Sequence, residues 1–214
     1  MKRSLVIIIT NILLTYCCYA KDDVQRISNL ITPVSYFVNH IKQLQQIDNN
    51  LEKYKTTSVV GMSGIGKTQI VRTYAYENIN KYEIIWFIDC SLDINQEFLK
   101  LAKILNKEKQ AGITEKANIV QKEVLDYLQN KSNWLIVMDN LKVSENLKIK
   151  GMIDWEHNGN IIFASQDKHI LPHIIELSNF NNDDCIKLAE SILNEPSKKR
   201  VNFYQKTSRD IQYW

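Results

Sequence analysis

Residues 61–68 read Gly-Met-Ser-Gly-Ile-Gly-Lys-Thr, and the spacing of their glycines, lysine and threonine is that of a loop that wraps a phosphate group. Glycines let the backbone of such a loop curve so that its N–H groups point inward. An apolar run, residues 57–60, precedes the loop, and a helical stretch, residues 69–77, follows it. The strand–loop–helix order is the context in which this pattern indicates nucleotide binding.

The loop positions have distinct chemical roles in this interpretation. The helix that follows directs its positive N-terminal end at the phosphates. Lys67 reaches the β- and γ-phosphates, and the Thr68 hydroxyl can bind Mg²⁺. The candidate nucleotide-binding residues here are Gly61, Met62, Ser63, Gly64, Ile65, Gly66, Lys67, Thr68 and Gln69.

The rest of the chain alternates between apolar β-type runs and helical stretches, which indicates an α/β fold with a parallel sheet. The predicted strands are residues 57–60, 84–89, 134–138, 160–164 and 173–177. The predicted helices are residues 24–51, 69–77, 94–105 and 114–129, and one from 181 or 182 to 193. We therefore expect a phosphate-loop NTPase fold, a five-stranded, mostly parallel sheet flanked by helices, with an N-terminal helix and a partial C-terminal helical segment.

A second group of polar residues follows the apolar run at 134–138. Asp139 comes 72 residues after Lys67 and directly ends the run. A carboxylate delivered this way holds Mg²⁺, directly or through water, in phosphoryl-transfer sites. Asn140 follows it, at a position where many phosphate-loop ATPases have a glutamate that orients or deprotonates the attacking water. An amide can hold that water but cannot accept its proton at neutral pH, so slow hydrolysis is expected.

The predicted strand at 160–164 leads into Ser165, Gln166 and Asp167. Ligands of open α/β sheets bind at the carboxyl ends of the strands. A polar side chain at this end can therefore face a γ-phosphate, and we take Gln166 as a nucleotide-binding candidate. The alternative interpretation is an ordinary strand-to-helix loop.

Together these segments resemble the NB-ARC family of STAND-type ATPases, and among them the bacterial members linked to tetratricopeptide repeats, over roughly residues 36–193. GMSGIGKTQIV is similar to the family's GMGGIGKTQLA, IIWFIDCS to its second strand, WLIVMDNL to LLVLDNv, and IIFASQD to vlvTSRd. Residues 36–40, Tyr-Phe-Val-Asn-His, resemble the FVGR segment that lies against adenine.

The resemblance implies that the chain binds ATP or ADP with Mg²⁺ as cofactors and that the nucleotide controls conformation or assembly. It implies a catalytic role for Lys67, Asp139 and Asn140, metal ligation by Thr68 and Asp139, and a nucleotide contact at Val38. It also implies a protein partner or self-association.

The chain departs from the family's pattern at two site positions. Asn39 and His40 stand where the family has Gly-Arg, and Gln166 stands where it has a sensor arginine. The family's GLPLA motif has no match before Trp214. We therefore expect an N-terminal helical linker at 21–55, the NTPase core at 56–180 and only the start of a helical domain at 181–214.

The N-terminus has the features of a secretory signal peptide at residues 1–20. Lys2 and Arg3 precede an apolar run at 5–14, and Cys18-Tyr19-Ala20 resembles a cleavage site. The expected mature chain begins at Lys21, and we expect no stable membrane span in it. The leader itself has about 16 apolar-biased residues, which are too few to cross a bilayer comfortably. An uncleaved anchor or a cytoplasmic chain are the alternatives.

Charge and cysteines give weaker constraints. The chain of 214 residues has 27 basic and 24 acidic residues, a net charge of +3, and removal of the leader leaves 25 against 24. This balance gives no electrostatic argument for nucleic acid, and we expect none as a partner. Cys90 and Cys185, the mature chain's cysteines, have no metal or disulfide spacing and are expected to be buried.

Three functions are compatible with these residues. The first is a switch ATPase with slow hydrolysis. The second is a nucleotide-binding interaction module that never hydrolyses. The third is a small-molecule kinase built on the same loop, although an arginine-rich lid segment is missing from the sequence.

Overall fold

A computed structural model describes residues 26–35, 40–142, 151–152, 155–168, 171–178 and 182–193. The proposed leader at 1–20, the candidate contact Val38 and the C-terminal residues 194–214 lie outside the described residues.

Six parallel strands form one sheet in the described part of the chain. They are β1 (Ile27–Ser28), β2 (Thr56–Val60), β3 (Ile84–Asp89), β4 (Trp134–Leu141), β5 (Asn160–Ser165) and β6 (Ile174–Glu176). Their order across the sheet is β1-β3-β4-β5-β2-β6, so β5 lies between β2 and β4. The carboxyl ends of β2, β4 and β5 therefore meet at one edge.

Helices cover both faces of the sheet. They are α1 (Ile41–Tyr54), α2 (Lys67–Glu77), α3 (Ile94–Lys109), α4 (Val120–Gln129) and α5 (Asn182–Leu193), with a 3₁₀ turn at Ile79–Lys81. Buried side chains of α1 and α2 pack in one apolar cluster, and those of α3 and α4 pack in another.

Strand alternation decides which side chains face which helices. In β4, Leu135 and Val137 belong to the cluster of α1 and α2, whereas Ile136 and Met138 belong to the cluster of α3 and α4. Successive side chains of a strand point to opposite faces. Asp139 therefore points to the same face as Val137, which is the face covered by α2.

The α/β fold class is confirmed, but over the described residues the sheet has six strands rather than five. The prediction of one helix over 24–51 is wrong. Residues 27–28 form edge strand β1, and α1 begins only at Ile41. Pro33 disfavours a helix through this segment because proline lacks an N–H and restricts the residue before it. The Asn29 side chain also pairs with the Phe87 backbone in both directions, at 2.8 and 2.7 Å, which continues the edge pairing beyond β1.

Three further boundaries differ from the predictions. Helix α4 begins at Val120 rather than at residue 114, α3 extends to Lys109, and β4 continues through Asp139 and Asn140 to Leu141. Cys90 is buried as expected, whereas Cys185 is exposed on α5, contrary to the prediction. Within the described ranges, no helix combines the length and the apolar character needed to cross a membrane.

Candidate nucleotide-binding site

The loop between β2 and α2 has the backbone form that its glycines allow. Gly64 has a φ of 77° and Gly66 a φ of 103°, and both values lie in the left-handed region that favours glycine. Gly61 packs closely: a Cβ there would lie 3.0 Å from the Ile65 side chain and 3.2 Å from the Leu177 carbonyl oxygen. The Gly61 N–H also donates to the Ser165 carbonyl across 3.3 Å, which ties the loop to the end of β5.

The Lys67 side chain is folded back into the loop that precedes it. Its Nζ donates to the carbonyl oxygens of Gly61 and Met62, at 2.9 and 2.8 Å. Burial lowers the pKa of Lys67, and the negative charge of Asp139 partly offsets this effect. The ammonium group is thus held by two neutral carbonyl acceptors at the start of the loop, which a phosphate oxygen can replace with a charge-assisted bond.

Thr68 and Asp139 connect the first turn of α2 with the end of β4 through a hydrogen bond. The Thr68 hydroxyl donates to the Asp139 carboxylate, 2.9 Å from Oδ2 and 3.2 Å from Oδ1. Asp139 is buried, with 7% of its surface exposed. A hydroxyl beside a carboxylate is an oxygen donor set of the kind that Mg²⁺ prefers, so these residues fit the ion that the sequence implies.

Asn140 adopts an unusual backbone conformation, and its side chain is directed towards the neighbouring strand β3. Its φ is 58°, a left-handed value that asparagine tolerates better than most residues, and the pairing of β4 with β5 is irregular between Met138 and Leu141. The Asn140 side-chain nitrogen donates to Asp89 Oδ1 across 3.1 Å, and its backbone N–H donates to Asp139 Oδ1 across 2.9 Å.

The turn after β5 is organised by Ser165. Its hydroxyl donates to the Leu141 carbonyl at 2.8 Å and accepts the backbone N–H of Asp167 at 3.0 Å. These bonds attach the turn to the end of β4. Gln166, which lies between Ser165 and Asp167 in the chain, is exposed. This position places Gln166 in the same cleft as the phosphate loop.

These elements line a cleft of about 650 Å³ at the carboxyl edge of the sheet. Its lining includes most of the predicted site, namely Ser63, Gly64, Gly66, Lys67, Thr68, Gln69, Asn140 and Gln166, together with Ser91, Leu141, Lys142, Ser165 and Asp167. A neighbouring cleft of about 780 Å³ is lined by Gly61, Met62, Ser63, Gln166, Asp167, Lys168, Glu176, Leu177 and Ser178. Ile65 instead packs against the apolar cluster of α1 and α2.

Sequence reasoning missed Ser91, Lys142 and Asp89 in this region. Asp89 is the last residue of a predicted strand, and Asp139 directly follows another apolar run, at 134–138. The position of Asp89 at the carboxyl end of a strand could therefore have identified it as a site candidate. The adjacency of β3 and β4, which pairs Asp89 with Asp139, comes from the strand order. Gln69 also has an unpredicted contact, since its Oε1 accepts the backbone N–H of Val34 at 3.3 Å.

Comparisons with known proteins agree with this geometry. Residues 37–199 match the NB-ARC domain family. The Walker-type ATPase PABY2304 of Pyrococcus abyssi shares 13% identity and a TM-score of 0.53 over 77% of this chain. Cdc6p from Pyrobaculum aerophilum shares 14% identity and a TM-score of 0.51 over 80% of it. These two likenesses show the fold, and this chain spans 60% and 54% of the lengths of those proteins.

A comparison with curated proteins returned no match. The family match covers well over half of the 214 residues and includes the loop at 61–68, Asp139 and Gln166. This chain therefore belongs to the NB-ARC domain family and carries its nucleotide-binding ATPase fold.

Proposed function

We propose that this chain is an ATP/ADP-binding switch ATPase in which the bound nucleotide controls conformation or assembly and hydrolysis is slow. The observation that carries this proposal is that one cleft of about 650 Å³ is lined by the phosphate loop, by the end of β4 and by the turn after β5. Ligand sites of small molecules have volumes of about 300–1,000 Å³. A nucleotide with its phosphates on Lys67 fits this range.

Thr68 and Asp139 would hold Mg²⁺ in this function. The ion would neutralise charge on the β- and γ-phosphates. The present contact between the Thr68 hydroxyl and Asp139 supports this assignment, because it keeps both oxygen donors at one place beside Lys67. Lys67 would then exchange its two carbonyl partners for phosphate oxygens.

One flanking segment contacts the phosphate loop and another contacts the first turn of α2, and these contacts support a switch. On the C-terminal side, the Leu177 N–H donates to the Val60 carbonyl at 2.8 Å, and Leu177 packs against Gly61. On the N-terminal side, Val34 donates to Gln69. A nucleotide shifts a conformational equilibrium only through contacts that differ between two states. Movement of the loop and of the first turn of α2 on binding phosphate would alter contacts with both segments at once.

Slow hydrolysis is proposed from two side chains in the cleft. Asn140 cannot accept a proton from water at neutral pH. Gln166 carries no charge to stabilise the γ-phosphoryl group, whereas arginines in such roles contribute about 10³-fold or more when supplied by a partner protein. We expect turnover well below the ~1–10³ s⁻¹ typical of enzymes, and we expect Asn140→Glu to raise it if the water is already positioned.

The output of the switch and its location are also proposals. We infer a protein partner or self-association as the output, because the flanking segments that touch the loop and the first turn of α2 could transmit their state. Export through the leader at residues 1–20 follows from the basic and apolar pattern at the N-terminus. Partner binding would be tested by comparing the oligomeric state of the purified chain with ATP and with ADP.

One experiment on the purified chain separates the candidate functions. The nucleotide extracted from the protein would be identified, and phosphate release from Mg²⁺-ATP would be measured against a Lys67→Ala control. Bound ADP with slow release supports the switch ATPase. Tight binding without release would favour the non-hydrolysing interaction module, and phosphate transfer to an added small molecule would favour a kinase. Failure to bind either nucleotide contradicts the proposed function.

A further inference from the structure

The proposed hydrolysis needs a proton acceptor for the attacking water, and the amide of Asn140 cannot be that acceptor. We propose that Asp89, at the end of the neighbouring strand β3, accepts this proton, and that Asn140 is a positioning residue that holds the Asp89 carboxylate beside the residues that line the cleft. This inference rests on the proposed function, because it assumes that ATP occupies the cleft lined by Lys67 and Thr68.

Strand pairing places Asp89 beside the proposed magnesium residues. Asp89 and Asp139 are direct partners in the register of β3 and β4, and neighbouring strands lie about 4.8 Å apart. Along β3, Ile85 and Phe87 pack with the cluster of α1 and α2. Alternation therefore points Asp89 to that same face, which is also the face of Asp139 and of the N-terminal turn of α2.

Among the residues that the structure describes, the hydrogen bonds to the Asp89 carboxylate leave Oδ2 available. Oδ1 accepts the Ser91 backbone N–H at 3.0 Å, the Ser91 hydroxyl at 2.6 Å and the Asn140 side chain at 3.1 Å. Within the part of the chain that the structure describes, these hydrogen bonds to the Asp89 carboxylate all end on Oδ1. Ser91 and Asn140 both line the cleft, so the two residues that fix this carboxylate also border the nucleotide space.

The same contacts keep the Asp89 carboxylate ionised. Burial alone raises the pKa of Asp89, but the hydrogen bonds from Ser91 and Asn140 and the charge of Lys100 outweigh it and hold the pKa below 3.8. A lowered pKa makes this carboxylate a weaker base, since catalytic bases work best when their pKa lies near the working pH. This chemistry agrees with slow rather than fast hydrolysis.

The proposed step balances without a further reactant. The water oxygen forms a bond to the γ-phosphorus while one water proton passes to Asp89 Oδ2. The bond between that phosphorus and the bridging oxygen breaks, and its electron pair leaves with ADP. Asp89 then releases the proton to bulk water and returns to its ionised form.

The test compares Asp89→Asn with Asp93→Asn in the purified full-length chain. Asp93 caps α3 by accepting the Asn95 N–H at 2.9 Å, and asparagine caps helices as well as aspartate does, so this control removes the same charge from the same turn. We expect Asp89→Asn to lower single-turnover phosphate release at least tenfold, because general bases contribute about 10²–10⁴-fold. ATP affinity and melting temperature should stay close to wild type in both variants. Nucleotide extracted from Asp89→Asn should be enriched in ATP over ADP.

A swap variant separates the carboxylate from the hydrogen bond. Asp89→Asn combined with Asn140→Asp keeps one acid and one amide in the pair but exchanges their places, and we expect it to release phosphate at least threefold faster than Asp89→Asn alone. A rate of phosphate release in Asp89→Asn within twofold of the wild-type rate overturns the inference. An equal loss of this rate in Asp93→Asn also overturns it. Wild-type chain that binds ATP but releases no phosphate also overturns it, while leaving nucleotide binding intact. A wild-type chain that binds no nucleotide instead contradicts the proposed function.

Discussion

The Thr68 hydroxyl lies 2.9 Å from Asp139 Oδ2, and this hydrogen bond joins two residues that are 71 positions apart in the chain. Thr68 is in the first turn of α2, and Asp139 is on β4, two strands away from the strand that leads into the phosphate loop. Because β5 separates β2 from β4, the two residues meet only across the carboxyl edge of the sheet. This contact is the structural basis for the prediction on Asp139 below.

Lys67→Ala should weaken the binding of both ATP and ADP by about tenfold or more. The Lys67 ammonium would otherwise make a charge-assisted hydrogen bond to phosphate, commonly worth about 1.5–3 kcal/mol. Isothermal titration calorimetry with each nucleotide checks this. Lys103→Ala is the control, since Lys103 is exposed on α3 on the opposite face of the sheet. Unchanged affinity for either nucleotide would contradict the proposed site.

Asp139→Ala should remove the Mg²⁺ dependence of ATP binding and leave ADP binding less affected. The variant loses the buried carboxylate that accepts the Thr68 hydroxyl, and with it the proposed metal ligand. ATP affinity would be measured with Mg²⁺ and with a chelator. Asp126→Ala, which removes an exposed acid from α4, should keep the dependence. If the ATP affinity of the wild-type chain does not change when a chelator removes Mg²⁺, Asp139 does not bind the metal.

Gln166→Arg should increase the preference for ATP over ADP. An arginine there can pair with a γ-phosphate that ADP lacks, and because position 166 is exposed we expect a gain of about two- to fivefold. The ratio of the two dissociation constants is the measurement. Gln129→Arg adds the same charge at an exposed site at the end of α4 and should leave the ratio unchanged. If Gln166→Arg leaves the ratio of the ATP and ADP dissociation constants unchanged, the γ-phosphate does not lie beside position 166.

Cleavage of the leader should produce a mature N-terminus at Lys21 in an export-competent host. The basic start, the short apolar run and the small residues before position 21 are the features on which this prediction depends. N-terminal sequencing of the secreted or periplasmic protein checks it. Retention of Met1 on protein in the soluble cytoplasmic fraction would contradict export.

Acidification from about pH 7.5 to about pH 5.5 should lower the free energy of unfolding, in part through His157. Burial lowers the pKa of His157 below 6.5, the charge of Lys55 adds to this, and the hydrogen bond with Gly159 opposes it. As the pH falls through the ordinary pKa of histidine, His157 therefore binds a proton more readily in the unfolded chain than in the folded chain. The free energy of unfolding falls with the pH for this reason. The surrounding rings of Trp134 and Trp155, at 5.2 and 4.9 Å, restrict access of water to the charged form.

Denaturant unfolding of wild type and His157→Gln at both pH values measures this effect. The variant should lose less stability on acidification than wild type. His173→Gln is the comparison, because burial also lowers the pKa of His173, and that variant should keep the His157 contribution. Equal losses in wild type and His157→Gln would show that His157 titrates normally in the folded protein.

Most of the core elements could be predicted from local sequence because their physical causes are local. The runs at 84–89 and 134–138 are almost wholly apolar, as strands buried on both faces must be, and the structure has strands over both. The edge strand β1 could not be predicted this way. Its two residues are too few for a pattern, and its pairing depends on β3, which lies 57 positions away for Ile27 and Ile84.

The amino-acid sequence alone determined the phosphate loop, the helix after it and the polar residues that end the strands, because glycine freedom, apolar patterning and carboxylate chemistry are properties of short segments. Only the tertiary structure decided that Asp89 is the register partner of Asp139 and that Asn140 turns its amide towards Asp89. Strand order sets these relationships, and strand order follows from how helices on both faces bury the apolar clusters together rather than from any single segment.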